Sequence, residues 1–123
     1  MSVAVAKQLP DDFANGLEIE VSEQGTTTTI ALKGEWDLAG VPAARGAIRR
    51  ALERCPECLV LDLEPLTFID SGGLHGAVEL HQWAMRQNAR LVIVPGSRAV
   101  QRLFEICGLA ETLPFRSPTR RDQ

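Results

Sequence analysis

Asp70-Ser71-Gly72-Gly73 is the stretch of this chain whose residue types and spacing suggest chemistry. Ahead of it lie an apolar run, Leu59-Val60-Leu61-Asp62-Leu63, a turn at Pro65 and a second apolar pair, Phe68-Ile69. Behind it a helical pattern opens at Leu74. The expected order is strand, loop, helix N-terminus, with a serine at the junction. The first amides of a helix have no intrahelical partners and carry partial positive charge. A hydroxyl placed there, beside two glycines, sits where an anion can be bound or made. Each glycine costs a helix about 1 kcal/mol relative to Ala, so two in one first turn imply a sharp bend or a close backbone approach. A purely structural role accounts for the same residues, with Asp70 or Ser71 as N-cap and the glycines as a turn.

Other chemistry-bearing residues lead nowhere as clearly. Ser71 does not stand in a G-x-S-x-G nucleophile elbow, because Ile69 occupies the first glycine position. Neither a phosphate-binding G-x-x-x-x-G-K-[ST] loop nor a dinucleotide fingerprint occurs. Cys55-Pro56-Glu57-Cys58 has C-x-x-C spacing, but it follows a predicted helix and precedes a strand. A redox pair would sit at a helix N-terminus, where the dipole favours a thiolate. A structural zinc would need two further ligands, and only Cys107, His75 and His81 remain, without suitable spacing. The reading is of a non-enzyme with no cofactor and no metal.

Composition bounds the partners. The chain has 123 residues, 45% of them hydrophobic and 24% charged, which suits one globular domain. A net charge of −3 without a basic stripe argues against nucleic acid. The apolar runs are too short for membrane insertion, and the N-terminus lacks the apolar core of a signal peptide. Three cysteines do not make a disulfide framework, so a cytoplasmic location is expected.

The elements that must position Ser71 follow from periodicity. Residues 1–16 read as a leader or an added edge segment. Leu17, Ile19 and Val21 alternate with Glu18 and Glu20, a half-buried strand. Gln24-Gly25 turns the chain into a second β-branched strand, Thr27 to Lys33. Pro42 opens a helix bearing Val41, Ala44, Ile48, Ala51 and Leu52 on one face. A helix over about 73–87 should meet the sheet through Leu74, Ala77, Val78, His81 and either Ala84 or Met85. Gly76, Leu80 and Trp83 fall on a flanking face that is either covered by the fold or open to a partner. Arg90 to Val94 forms the next strand, and Ser97 caps a helix with Val100, Leu103, Phe104 and Cys107. Gly108 ends it. Thr112 to Phe115 reads as a short last strand, and 116–123 as a polar tail. The order β-β-α-β-α-β-α-β implies one α/β domain over 17–115. Its expected form is an N-terminal hairpin, a mixed, mostly parallel sheet and helices packed on that sheet.

Three stretches together resemble the STAS domain family, and within it the bacterial anti-sigma factor antagonists. Gly34-Glu35-Trp36-Asp37 resembles the family's G-E-[LI]-D at the end of the second strand. Leu59–Leu63 followed by Leu66, Phe68, Ile69, Asp70, Ser71, Gly73 and Leu74 resembles its hydrophobic strand and D-S-x-G-L signature. Ser97 to Leu109 resembles its penultimate helix with a G-L stop. The resemblance implies that Ser71 is phosphorylated by a partner anti-sigma factor, a serine kinase with a histidine-kinase-like ATPase fold. It places Asp37 and Asp70 on either side of Ser71, orienting its hydroxyl or assisting the kinase.

Unphosphorylated, the chain would bind the anti-sigma factor through Ser71, the Gly72-Gly73 backbone and the helix from Leu74, with Gly76, Leu80 and Trp83 as further contacts. Phosphorylated, it would let go, and a serine phosphatase would reset it. The alternative is a constitutive STAS adaptor in a transporter or signalling complex, never phosphorylated. A weaker third class is a nucleotide or small-ligand sensor. Two departures from the family stand out: Gly72 replaces the Ser or Thr common after the serine, and the chain stops where a C-terminal helix usually follows.

Overall fold

The computed structural model describes residues 4–7 and 16–116. Its central hairpin is β2 (Leu17–Gln24) with β3 (Thr27–Trp36). Alternation sets the register: Ile19 pairs with Leu32 and Val21 with Ile30, so the apolar side chains gather on one face. β1 (Ala4–Lys7) adds antiparallel to β2 at the sheet edge. The segments 1–3 and 8–15 of the expected leader, and 117–123 of the expected tail, lie outside the described residues.

β3 serves two parallel partners in succession. Its first half pairs with β4 (Cys58–Asp62) and its last residues with β5 (Leu66–Ile69). The change of partner coincides with a bulge at Gly34, whose φ of +98° suits glycine. Pro65 breaks the run between β4 and β5, and its carbonyl accepts from the Gly34 amide at 3.3 Å. β6 (Leu91–Val94) pairs parallel with β4, giving the order β1-β2-β3-β4-β6 with β5 also on β3.

Three helices complete the domain: α1 (Val41–Leu52), α2 (Ser71–Arg86) and α3 (Arg98–Ile106). α1 packs on β2 and β3, α2 on β5 and β6, and α3 beside β5. The register row Ile30–Leu61–Ile93 is buried, and Ala44, Ala47, Ile48, Leu74, Ala77 and Leu80 belong to the same apolar core. Arg45 of α1 pairs with Glu79 of α2. Ser97 caps α3 through its Oγ, which accepts from the Val100 amide at 3.3 Å. No helix among the described residues is long and apolar enough to cross a membrane.

The single α/β domain, its hairpin and its mixed sheet are as the sequence implies, with two differences in the order of elements. Phe68-Ile69 belongs to a strand, β5, not to a loop. The last strand is reduced to one bridge, Ile93 with Phe115, because Pro114 has no amide to extend a ladder. Phe115 still contributes to the core through an edge-on contact with Phe104 at 5.0 Å between ring centroids.

The buried face of α2 also differs from expectation. Leu80 is fully buried, while Val78 and His81 are half-buried and Met85 is exposed. The helix turns its glycine-bearing side inward, with Gly73, Gly76, Ala77, Leu80 and Ala84 buried.

Candidate functional site

Ser71 is the first residue of α2 and its side chain is exposed. Asp70 is the N-cap, in extended backbone (φ −117°), and its Oδ1 accepts from the Gly73 amide at 3.0 Å. This settles which of the two residues caps. The serine is left at the first helical position, where its Oγ has no hydrogen-bond partner among the described residues. A free hydroxyl in the positive field of a helix N-terminus is well placed to carry a phosphoryl group.

The neighbouring wall comes from the end of β3. Asp37 caps a short 3-10 turn, Leu38–Gly40, accepting from the Ala39 amide at 3.1 Å. Each of the two aspartates therefore uses one carboxylate oxygen to hold a backbone turn. The Asp70 amide in turn donates to the Trp36 carbonyl at 3.4 Å, which ties the head of α2 to the end of β3.

Glycine permits that junction. A Cβ on Gly73 would stand 2.4 Å from the Trp36 carbonyl oxygen and 2.7 Å from Ile69 Cγ1. One on Gly72 would stand 2.6 Å from the Leu38 amide nitrogen. Both positions are close backbone approaches, and the Ser or Thr common after the family serine has no room here. Trp36 lies fully buried beneath the turn. Gly40 makes space for its ring and for Leu17: a Cβ there would stand 3.1 Å from Trp36 Cδ1 and 2.8 Å from Leu17 Cδ2, whereas one on Gly76 would crowd Val41 Cγ2 at 2.6 Å. The Trp36 Nε1 is buried without a hydrogen-bond partner among the described residues.

The helix residues assigned to a partner surface need correction. Leu80 is fully buried, and Leu74 and Gly76 are also buried, so none of them is available to a partner. They support the site from below. Trp83 is half-buried against the core, three turns from Ser71. The sequence reading missed two exposed apolar residues nearer the serine. Leu38, on the 3-10 turn, is 68% exposed and lies against Gly72. Phe68, on β5, is 48% exposed and pairs in register with exposed Glu35. A lone leucine between Asp37 and Gly40 was the available signal for Leu38. Phe68 forms an apolar pair with Ile69, and apolar character alone does not mark which of the two is exposed.

The remaining candidates stay apart from this site. Cys55, Cys58 and Cys107 are free thiols. Cys55 follows the C-terminus of α1 and not the N-terminus of a helix. No group of three or more His, Cys, Asp or Glu among the described residues could hold a metal ion. A cleft of about 310 Å³ is lined by Leu52, Cys55, Pro56 and residues 87–89, none of them near Ser71 in the sequence or at its helix terminus.

Comparison with known proteins gives this geometry a context. An anti-sigma factor antagonist from Mycobacterium paratuberculosis has a similar structure, with a TM-score of 0.71 and 25% identity over 93% of this chain and 92% of that one. The anti-sigma factor antagonist SpoIIAA in its unphosphorylated form matches with a TM-score of 0.64 and 21% identity, over 84% of this chain and 91% of that one. The phosphorylated form of SpoIIAA, a Bacillus cell fate determinant, matches with a TM-score of 0.58 and 20% identity, over 84% and 95%. At those identities the two SpoIIAA likenesses speak for the fold. The family model of the STAS domain matches residues 18–121, nearly all of the described domain, and the chain belongs to the STAS domain family.

Proposed function

We propose that this chain is an anti-sigma factor antagonist that works by partner switching, with Ser71 as the switch. Unmodified, it binds an anti-sigma factor that is also a serine kinase. That kinase transfers the γ-phosphoryl group of ATP to Ser71 Oγ, which loses its proton, and ADP leaves. The phosphorylated chain dissociates, and a serine phosphatase restores it by hydrolysis. The observation that carries this reading is Ser71 itself. It is exposed, without a hydrogen-bond partner among the described residues, and held at the head of α2 by a cap that its neighbour Asp70 supplies. Similarity to the anti-sigma factor antagonist from Mycobacterium paratuberculosis across most of the chain supports the same role.

The physical basis of the switch is charge in a closed interface. Phosphorylation adds about −1.5 to −2 charge at pH 7. The helix N-terminus accommodates that charge, so the fold persists. A partner surface closed over Ser71 has to desolvate the phosphate beside Asp70. Misfit of a buried charge costs about 2–5 kcal/mol, equivalent to roughly 30- to 3000-fold in affinity.

The test compares wild type, Ser71→Ala and Ser71→Asp, each checked for folding, in binding to the purified anti-sigma factors of the source organism. Wild type and Ser71→Ala bind, Ser71→Asp does not, and only wild type takes up phosphate from ATP. Equal binding by Ser71→Asp and wild type rules the switch out.

A further inference from the structure

We propose that the outer face of α3 is a contact between two copies of this chain, which pair with their α3 helices antiparallel across a two-fold axis. α3 has two apolar stripes. Val100 and Phe104, one turn apart, are buried and belong to the core. Ala99, Leu103, Ile106 and the C-capping Cys107 follow the spacing i, i+4, i+7 and i+8, so they share a second face. All of them are exposed, Leu103 at 36% and Ile106 at 68%. A helix whose apolar residues run beyond the face that meets its own core has surface left to pack elsewhere.

The charges along α3 identify the partner as another α3. Residues 97–116 carry Arg98, Arg102, Glu105, Glu111 and Arg116, all exposed, and no Lys, Asp or His. Arg116 is tied to the β6 edge, where its amide donates to the Ile93 carbonyl at 2.7 Å. The strand packed against α3, β5, has no charged residue. Arg98 opens the helix and Arg102 follows one turn later, whereas Glu105 stands in the last turn. That order is the reverse of what the helix dipole favours. Glu105 and Glu111 line one cleft of about 210 Å³ with Gly108 and Ala110. None of Arg98, Arg102, Glu105 and Glu111 has an ion-pair partner among the described residues, although Arg102 and Glu105 are three apart on one helix.

An antiparallel second copy answers both features. With the axis midway between Leu103 and Ile106, Leu103 of each copy meets Ile106 of the other. Arg98 and Arg102 of each copy then run toward the carboxyl end of the other helix. The dipole and the Glu105–Glu111 cleft are both negative there, and symmetry makes the contact twice. A parallel pair would set arginine against arginine and glutamate against glutamate. Helices of nine residues bury an area at the low end of interface sizes. The dimer is therefore weak, with a Kd on the order of 100 µM.

The experiment is sedimentation equilibrium of the full chain from about 10 µM to about 1 mM, with each variant checked for folding by circular dichroism. Wild type passes from monomer to dimer over this range and forms nothing larger, because a two-fold contact closes on itself. Ile106→Ser weakens association by about tenfold or more. Met85→Ser, at a position 58% exposed on α2, changes it less than about twofold. The charge-reversed chains Arg98→Glu/Arg102→Glu and Glu105→Arg/Glu111→Arg each associate at least about tenfold more weakly than wild type. Mixed in equal amounts they form a heterodimer, since one chain then presents only acids along α3 and the other only bases. A wild type that is monomeric at about 1 mM overturns the proposal. So does an Ile106→Ser variant that dimerises within about twofold of wild type, or a larger loss at Met85 than at Ile106. A mixture that associates no more tightly than its two components overturns the antiparallel arrangement, and stands as the deciding test should Ile106→Ser fail to fold.

Discussion

Gly72 stands directly against Leu38: a Cβ on Gly72 would come within 2.6 Å of the Leu38 amide nitrogen and 2.8 Å of its Cβ. The contact joins the head of α2 to the turn after β3. It explains why this chain has glycine where a hydroxyl residue is common in its family. Replacing Gly72 by Ala sets two effects against each other. The helix gains about 1 kcal/mol of propensity, and the overpacked contact costs about 1–3 kcal/mol. The obstacle is backbone, which cannot rotate away, so the clash wins. Urea denaturation should give Gly72→Ala a lower midpoint than wild type with an unchanged m-value. Gly73→Ala, facing the Trp36 carbonyl at 2.4 Å, should be lower still. A Gly73→Ala variant as stable as wild type would mean that this junction is loose.

Asp70 and Ser71 divide capping from switching. The Asp70 carboxylate holds the Gly73 amide, so Asp70→Ala should lose about 1 kcal/mol of stability. Asp70→Asn keeps an acceptor at the same place and should retain most of it. Ser71 is exposed and makes no such bond, so Ser71→Ala should stay within about 0.5 kcal/mol of wild type. Thermal melts of the three variants check the order. If the cost of Ser71→Ala matched that of Asp70→Ala, the serine would be a structural cap after all.

The fold was largely legible because its apolar pattern changes period cleanly, from two in β2 and β3 to helical spacing in α1. Failures came where burial and hydrophobicity part company. β5 has only four residues, of which Thr67 and Phe68 are exposed, so no alternation announced it. In α2 the inward side includes Gly73 and Gly76. Glycine adds nothing to an apolar pattern, so the stripe read from side chains alone was rotated away from Leu80. The site was legible at Ser71 and Asp70 because cap and hydroxyl chemistry depends on local sequence. Leu38 and Phe68 were not, because their exposure is set by contacts between the turn, β5 and α2 that are distant in sequence.

Trp36 carries a large ring under the site, with Nε1 buried and without a partner among the described residues. Leaving such a donor unsatisfied costs about 1–3 kcal/mol. Trp36→Phe removes that donor while giving up part of the packing. The two effects oppose, and the net change should be under about 1.5 kcal/mol, far below the 3–5 kcal/mol expected of truncating a buried Trp to Ala. Chemical denaturation of the pair Trp36→Phe and Trp36→Ala reads the difference directly. A loss of more than about 3 kcal/mol in Trp36→Phe would point to a hydrogen bond from the indole, such as one to a buried water.

Leu80 separates a core role from a binding role. It is fully buried and belongs to the core cluster with Leu74, Ala77 and Ala84. Leu80→Ala should cost about 2–5 kcal/mol, the range for a buried leucine whose cavity closes only partly. Its effect on binding an anti-sigma factor should then be confined to the unfolded fraction. Held well below its melting temperature, the folded variant should bind within about twofold of wild type, because the residue touches no partner. Trp83 is only half-buried, so Trp83→Ala should cost less stability than Leu80→Ala. Melting curves paired with binding measured on the folded fraction distinguish the two roles. A Leu80→Ala variant with wild-type stability and lost binding would place that residue back on the surface.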